Sequence, residues 1–154
     1  MRSKVARMVV MVLALALVAA ACSKKSNGSS GGGASSASSS GGGSMTIGSD
    51  TATNKGTQDV SGKSTFELEM DNDNGKFYFK PTVLKGTAGQ QLTLTLKNEG
   101  NTVHNFSLVG SEANGVDVQA GQEGSIQVTF PQSGVVEFFC KYHRSLGMVG
   151  ELSV

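Results

Sequence analysis

Tryptophan is missing from this 154-residue chain, and histidine and cysteine occur only twice each. Those shortages limit the chemistry before any pattern is read. No Ser/His/Asp signature of a hydrolase is present. A basic stripe is lacking too. From Ser64 onward, six Lys and Arg face ten Asp and Glu, and the formal charge of +1 owes much to Arg2, Lys4 and Arg7 at the extreme N-terminus. That balance excludes a nucleic-acid-binding surface. No helical period of useful length runs through the chain.

The start reads as an export signal. The basic segment Met1 to Arg7 leads into an apolar run from Met8 to Ala21, 14 residues long. That is short of the roughly 20 residues a membrane span needs. It suits a signal peptide at 1–21, with small residues ahead of the cleavage point. The run Leu17-Val18-Ala19-Ala20-Ala21-Cys22 resembles a bacterial lipobox, with Ala19 where leucine is usual. The resemblance implies that Cys22 becomes the lipid-bearing N-terminus and that the protein is extracytoplasmic, anchored to the cell membrane. Cys140 then has no disulfide partner in the chain, and a lone thiol in an oxidising compartment is exposed to oxidation unless something occupies it.

Residues 22–44 are low in complexity, 17 of 23 being Gly or Ser. Such a segment buries too little apolar surface to offset its chain entropy. The polar stretch 45–63 shows no clear period. Residues 22–63 therefore read as a flexible tether with a reach on the order of 35 Å, although an N-terminal strand within 45–63 is compatible with the pattern. From Ser64 to Val154 the pattern changes to alternation: Leu92, Leu94 and Leu96; Phe106 and Leu108; Ile126, Val128 and Phe130; Val136 and Phe138; Met148, Gly150, Leu152 and Val154. Turn residues separate the runs, among them Asp71 to Gly75, Asn98 to Asn101 and Pro131 to Gly134. Residues 64–154 are expected to form one all-β domain, a sandwich or barrel with a single core.

Strand parity places the rare residues. His104 shares parity with Phe106 and Leu108, and Cys140 with Val136 and Phe138, so both point toward the core. Downstream, Cys140, His143 and Met148 follow a C-x2-H-x4-M spacing that one short loop can fold around a point, while His104 comes from a strand 36 residues upstream of Cys140. Two imidazoles, one thiolate and a weak thioether form the trigonal donor set that suits copper electron transfer. Each residue alone has a plainer reading: a structural histidine, a small buried hydrophobe, a solvated loop residue, a core methionine. Jointly, both histidines of the chain and the one cysteine of the domain fall on donor positions.

On these residues, 76–154 resemble a small cupredoxin of the plastocyanin, pseudoazurin and amicyanin type. Matching segments run in order: Phe79-Lys80-Pro81, Ala88-Gly89-Gln90-Gln91-Leu92, His104-Asn105, Ala120-Gly121-Gln122 and Met148-Val149-Gly150. The resemblance implies a two-sheet Greek-key β-sandwich. It makes His104, Cys140 and His143 equatorial ligands of one copper ion, cycling between Cu(II) and Cu(I), and Met148 the axial ligand. It places Asn105 beside the site. It implies that the edge of His143 is the electron port, with Leu146 and Gly147 in the surrounding patch. Lys141 and Arg144 would favour an acidic docking partner. Three positions depart from common relatives: Tyr142 for a proline, Lys141 for a hydroxyl residue, Phe139 for a tyrosine.

The function expected is therefore a non-enzymatic, monomeric electron shuttle serving redox proteins such as cytochromes or a terminal oxidase or reductase. The alternative is a carrier or storage lipoprotein that delivers copper to an oxidase. The domain's single cysteine excludes a dinuclear copper centre, and the absence of further histidines excludes a multicopper oxidase or copper nitrite reductase. A structural zinc site is usually closed by Cys and His alone, which the spaced Met148 does not fit. Copper carriers often show Met- or His-rich stretches, whereas Met45, Met70 and Met148 are scattered.

Overall fold

A computed structural model describes residues 42–154. The expected signal peptide, Cys22 and the tether as far as Gly41 lie outside the described residues.

Three groups of strands make up the fold. A hairpin is formed by β1 (Gly43–Ile47) and β2 (Asp50–Asn54). The other strands are β3 (Thr57–Asp59), β4 (Thr65–Asp73), β5 (Lys76–Lys80), β6 (Val83–Lys85), β7 (Gln91–Asn98), β8 (His104–Leu108), β9 (Val116–Val118), β10 (Glu123–Thr129), β11 (Val135–Phe139) and β12 (Val149–Ser153). They form a four-stranded sheet, β10-β7-β4-β5, and a six-stranded sheet, β3-β6-β12-β11-β8-β9. The chain changes sheet at every connection from β3 onward except β4–β5, β8–β9 and β11–β12. Among the described residues the helices are two single 3-10 turns, Glu112–Asn114 and Arg144–Leu146. The all-β expectation holds.

Alternation in β7 explains why the core forms. Leu92, Leu94 and Leu96 are fully buried while the residues between them are not. They meet Leu68 and Met70 of β4, and Phe106, Phe138 and Leu152 from the opposite sheet, in one apolar cluster that also contains Cys140 and Met148. Phe138 packs at 5.0 Å from both Phe79 and Phe106, ring centre to ring centre. The metal-type side chains therefore grow from the rim of a packed core, which limits their freedom.

Three sequence expectations need correction. First, the domain does not begin at 64. β1, β2 and β3 fall inside the expected tether, and Val60 is fully buried. The hairpin makes a second apolar cluster, in which Ile47 and Ala52 cover Phe139 and Val149. Its apolar residues are few, and the partners that bury them lie some ninety residues downstream, so no local period announces them. Second, Asp71 to Asp73 are strand, and the turn is only Asn74-Gly75, with φ of 50° and 75°. The Asp71 carboxylate accepts a hydrogen bond from the Tyr78 hydroxyl at 2.8 Å on the paired strand, so this polar residue is satisfied by the ladder. Third, Val154 is exposed whereas Val149 is buried. The outer face of β12 is covered by the hairpin, and the strand ends at Ser153.

Candidate metal centre

β8 and β11 are antiparallel neighbours, with Phe138 opposite Leu108 and Phe139 opposite Ser107. That register carries the end of β11, and Cys140 just beyond it, toward His104 at the start of β8. After Cys140 the chain closes a compact loop. The His143 N–H donates to the Cys140 carbonyl at 3.1 Å, the Met148 N–H to the His143 carbonyl at 3.1 Å, and the Cys140 N–H to the Met148 carbonyl at 3.0 Å. The backbone thus ties Cys140, His143 and Met148 to one another directly. Gly147 permits the closure, at φ 95°. A side chain there would meet Thr53 of the hairpin, whose N–H donates to the Gly147 carbonyl at 2.9 Å.

Three donor atoms converge. His104 Nδ1 lies 3.3 Å from His143 Nδ1, and Cys140 Sγ lies 3.4 Å from His143 Nδ1. All three residues' candidate atoms fall within 4.8 Å of one another. His104, Cys140 and Met148 are fully buried, while His143 is partly exposed. Phe77 stacks on the His143 ring at 4.1 Å and 17° and meets His104 edge-on.

The electrostatics suit a soft cation. Burial, reinforced by His143, pushes His104 down to about 4, and burial also lowers His143. Both imidazoles are held in the neutral, ligating form at physiological pH. Burial pushes the Cys140 thiol up, against the pull of nearby backbone N–H groups. A thiolate there calls for a cation, and the Asn105 N–H already donates to its sulfur at 3.3 Å. His104 Nε2 is buried without a hydrogen-bond partner among the described residues. It faces Gly100, whereas Nδ1, 3.3 Å from His143 Nδ1, is the atom His104 presents to the point of convergence.

Asn105 is held on every side. Its Oδ1 accepts from the Ser107 hydroxyl at 2.8 Å and the Lys141 N–H at 3.3 Å. Its Nδ2 donates to Asp117 at 2.7 Å. Asp117 and Phe77 were missed by sequence reasoning. Phe77 shares inward parity with Phe79, which was a usable signal. Asp117 sits on a three-residue edge strand whose partner only the fold reveals.

Two expectations about the surface change. Gly147 is buried against the hairpin, so it is not part of an exposed patch; Leu146 is exposed as expected, at 53%, and Tyr142 joins it, at 46%. The flanking cations are paired. Lys141 meets Asp117 at 2.8 Å, and Arg144 meets Asp50 at 2.8 Å and Glu137 at 3.3 Å. They leave little unmatched charge to attract an acidic partner.

The cupredoxin-like domain family model matches residues 43–154. The chain belongs to the cupredoxin-like family. The match begins at β1, in agreement with the corrected boundary. Plastocyanin A/B of Petroselinum crispum is 28% identical over 97 residues, 57% of this chain and 98% of that protein. Plastocyanin of Daucus carota is 29% identical over the same shares. Among solved structures, a dithionite-reduced auracyanin from the photosynthetic bacterium Roseiflexus castenholzii superposes with a TM-score of 0.50 at 20% identity, covering 60% of this chain and 97% of that one. The cofactor of this cupredoxin is one copper ion, and the converging His104, Cys140 and His143, with Met148 buried in the same cluster as Cys140, fit it.

Proposed function

We propose that this protein is a type 1 copper electron carrier, not an enzyme, whose ion is held by His104, Cys140 and His143 with Met148 as the weak axial ligand. The observation that carries the reading is the convergence of two neutral Nδ1 atoms and one buried sulfur within 4.8 Å. Bound copper supplies a one-electron Cu(II)/Cu(I) couple. The chain's own residues do the rest. Phe77 stacks on His143 and the Tyr142 ring lies beside it, with exposed Leu146 three residues on. The packed core beneath Cys140 and Met148 restrains the donors, so little rearrangement accompanies a change of charge.

His143 is the only partly exposed donor, so electrons pass through its edge, and partners dock on the apolar rim of Tyr142 and Leu146. Redox proteins such as cytochromes or a terminal oxidase or reductase fit that role. The leader and Cys22 support a lipid anchor on the outer face of the cell membrane, with a Gly/Ser leash up to residue 42 that raises the effective concentration of membrane partners. A monomer suffices for this arrangement.

The test combines voltammetry with chelator competition on the copper-loaded protein. A carrier of electrons gives a reversible one-electron wave and keeps its copper through many cycles in the presence of a Cu(I) chelator. Rapid surrender of Cu(I) to the chelator would favour delivery of copper over transfer of electrons.

A further inference from the structure

The side chains that join the two donor-bearing segments meet at one carboxylate. Asp117 lies on β9, directly opposite Asn105 in the ladder. It accepts from Asn105 Nδ2 at 2.7 Å, from Lys141 Nζ at 2.8 Å and from the Tyr142 hydroxyl at 2.9 Å. Asn105 directly follows His104. Lys141 and Tyr142 are the only residues between Cys140 and His143. One side chain therefore grips the neighbour of the strand donor and the whole span between two loop donors.

We infer that Asp117 is a positioning residue for the copper centre, fixing the Asn105 N–H against the Cys140 sulfur and thereby setting the balance between the two oxidation states. The inference rests on the copper reading of the site. The plainer view is a rim ion pair, since exposed Lys–carboxylate pairs contribute about 0–1 kcal/mol. Two observations argue for more. The Asn105 amide is buried and its 2.7 Å bond to Asp117 is charge-assisted, the carboxylate itself reaching solvent. Lys141 and Tyr142 are exposed, so apolar packing does not fix their side chains; Asp117 is the partner both share, beside the backbone closure of the loop and the Lys141 N–H bond to Asn105. Asn105 and the loop are thus cross-linked through Asp117, and the N–H···S contact is a by-product of that geometry. Hydrogen bonding around a copper-bound cysteine sulfur tunes the potential. A donor to sulfur withdraws charge from it and favours Cu(I).

The experiment uses the charge-balanced pair Asp117→Asn with Lys141→Gln, which removes the ion pair and the charge-assisted bonds without changing net charge. Outer partners of a metal site typically cost 10–100-fold when lost. The account predicts an affinity for Cu(I) about tenfold weaker relative to Cu(II), which is a fall in potential of about 59 mV for a one-electron couple. Asp117→Asn alone leaves Lys141 unmatched, and that added positive charge pushes the potential upward, so the single and double variants separate charge from positioning. Asp117→Glu, which keeps the carboxylate, should recover most of the loss. In metal-free protein, amide exchange at Asn105 should accelerate by about tenfold in the double variant. Tyr142→Phe removes one arm only and should move the same quantities in the same direction, which keeps the test open if the double variant folds poorly. Wild-type potential and wild-type Asn105 exchange in a folded double variant would overturn the inference. A wild-type protein that binds no copper would overturn the copper reading, and the exchange measurement would still decide whether Asp117 holds Asn105.

Discussion

Gly100 shows how tightly His104 is seated. Its backbone is not in the left-handed region, so an alanine there is conformationally acceptable. Space is what forbids it: an added Cβ would lie 2.7 Å from His104 Nε2 and would collide with Asn72 Oδ1. His104 is fully buried and has nowhere to retreat. Asn72 is itself pinned, donating to Asn101 Oδ1 at 2.9 Å and accepting from the Asn101 N–H at 3.1 Å. Gly100→Ala should therefore push the imidazole toward the point of convergence and weaken copper binding about tenfold or more, as read by competition titration against a chelator. Unchanged affinity would mean that Asn72 yields and His104 does not move. Gly150 on β12 is a second close approach. It lies opposite Phe138, and an added Cβ would strike that ring and the Thr82 carbonyl. The Met148-Val149-Gly150 segment, read from the sequence as a family feature, is thus explained by packing.

The hairpin is the element whose role the sequence concealed. Ile47 and Ala52 bury Phe139 and Val149 on the outer face of the six-stranded sheet. Arg144, on the donor loop, reaches the hairpin through Asp50 and sits over the Phe139 ring at 4.4 Å. Burying an aliphatic chain of this size and then truncating it costs about 2–5 kcal/mol. Ile47→Ala should destabilise the protein by that order in a denaturant titration, whereas a residue in a loose leash would show no measurable change. Beneath the hairpin, Glu151 faces Glu137 across the β11–β12 ladder. Burial, then Glu137, raises its carboxyl above the usual 4.5, while Lys85 opposes. The folded state then holds a proton that the unfolded chain releases, so stability is lost as pH rises from 4.5 through the raised folded value. Glu151→Gln should accordingly raise the thermal midpoint at pH 7, and the advantage should close below pH 4.5. An equal gain at both pH values would point to packing in place of charge.

At the scale of the whole molecule, the fold class and the donor set were legible because both depend on local signals. Period-2 alternation at Leu92, Leu94 and Leu96 is a property of one strand. The C-x2-H-x4-M spacing is a property of one loop, and His104 was placed inward by parity alone. What escaped the sequence depends on contacts between distant segments. Asp117 matters only because β9 lies beside β8. Ile47 is buried only because Phe139 and Val149 are brought to it. Gly147 was expected at the surface because the hairpin that covers it read as a tether. Lys141 and Arg144 look like free cations until Asp117, Asp50 and Glu137 are seen opposite them.

The most direct test of the central claim is a titration of the metal-free protein with Cu(II), followed by visible absorption. One equivalent should produce an intense blue thiolate-to-copper charge-transfer band that saturates at a ratio of one, and Cys140→Ser should leave the solution colourless while retaining the fold. A colourless wild-type protein, or a band that survives Cys140→Ser, would contradict the account.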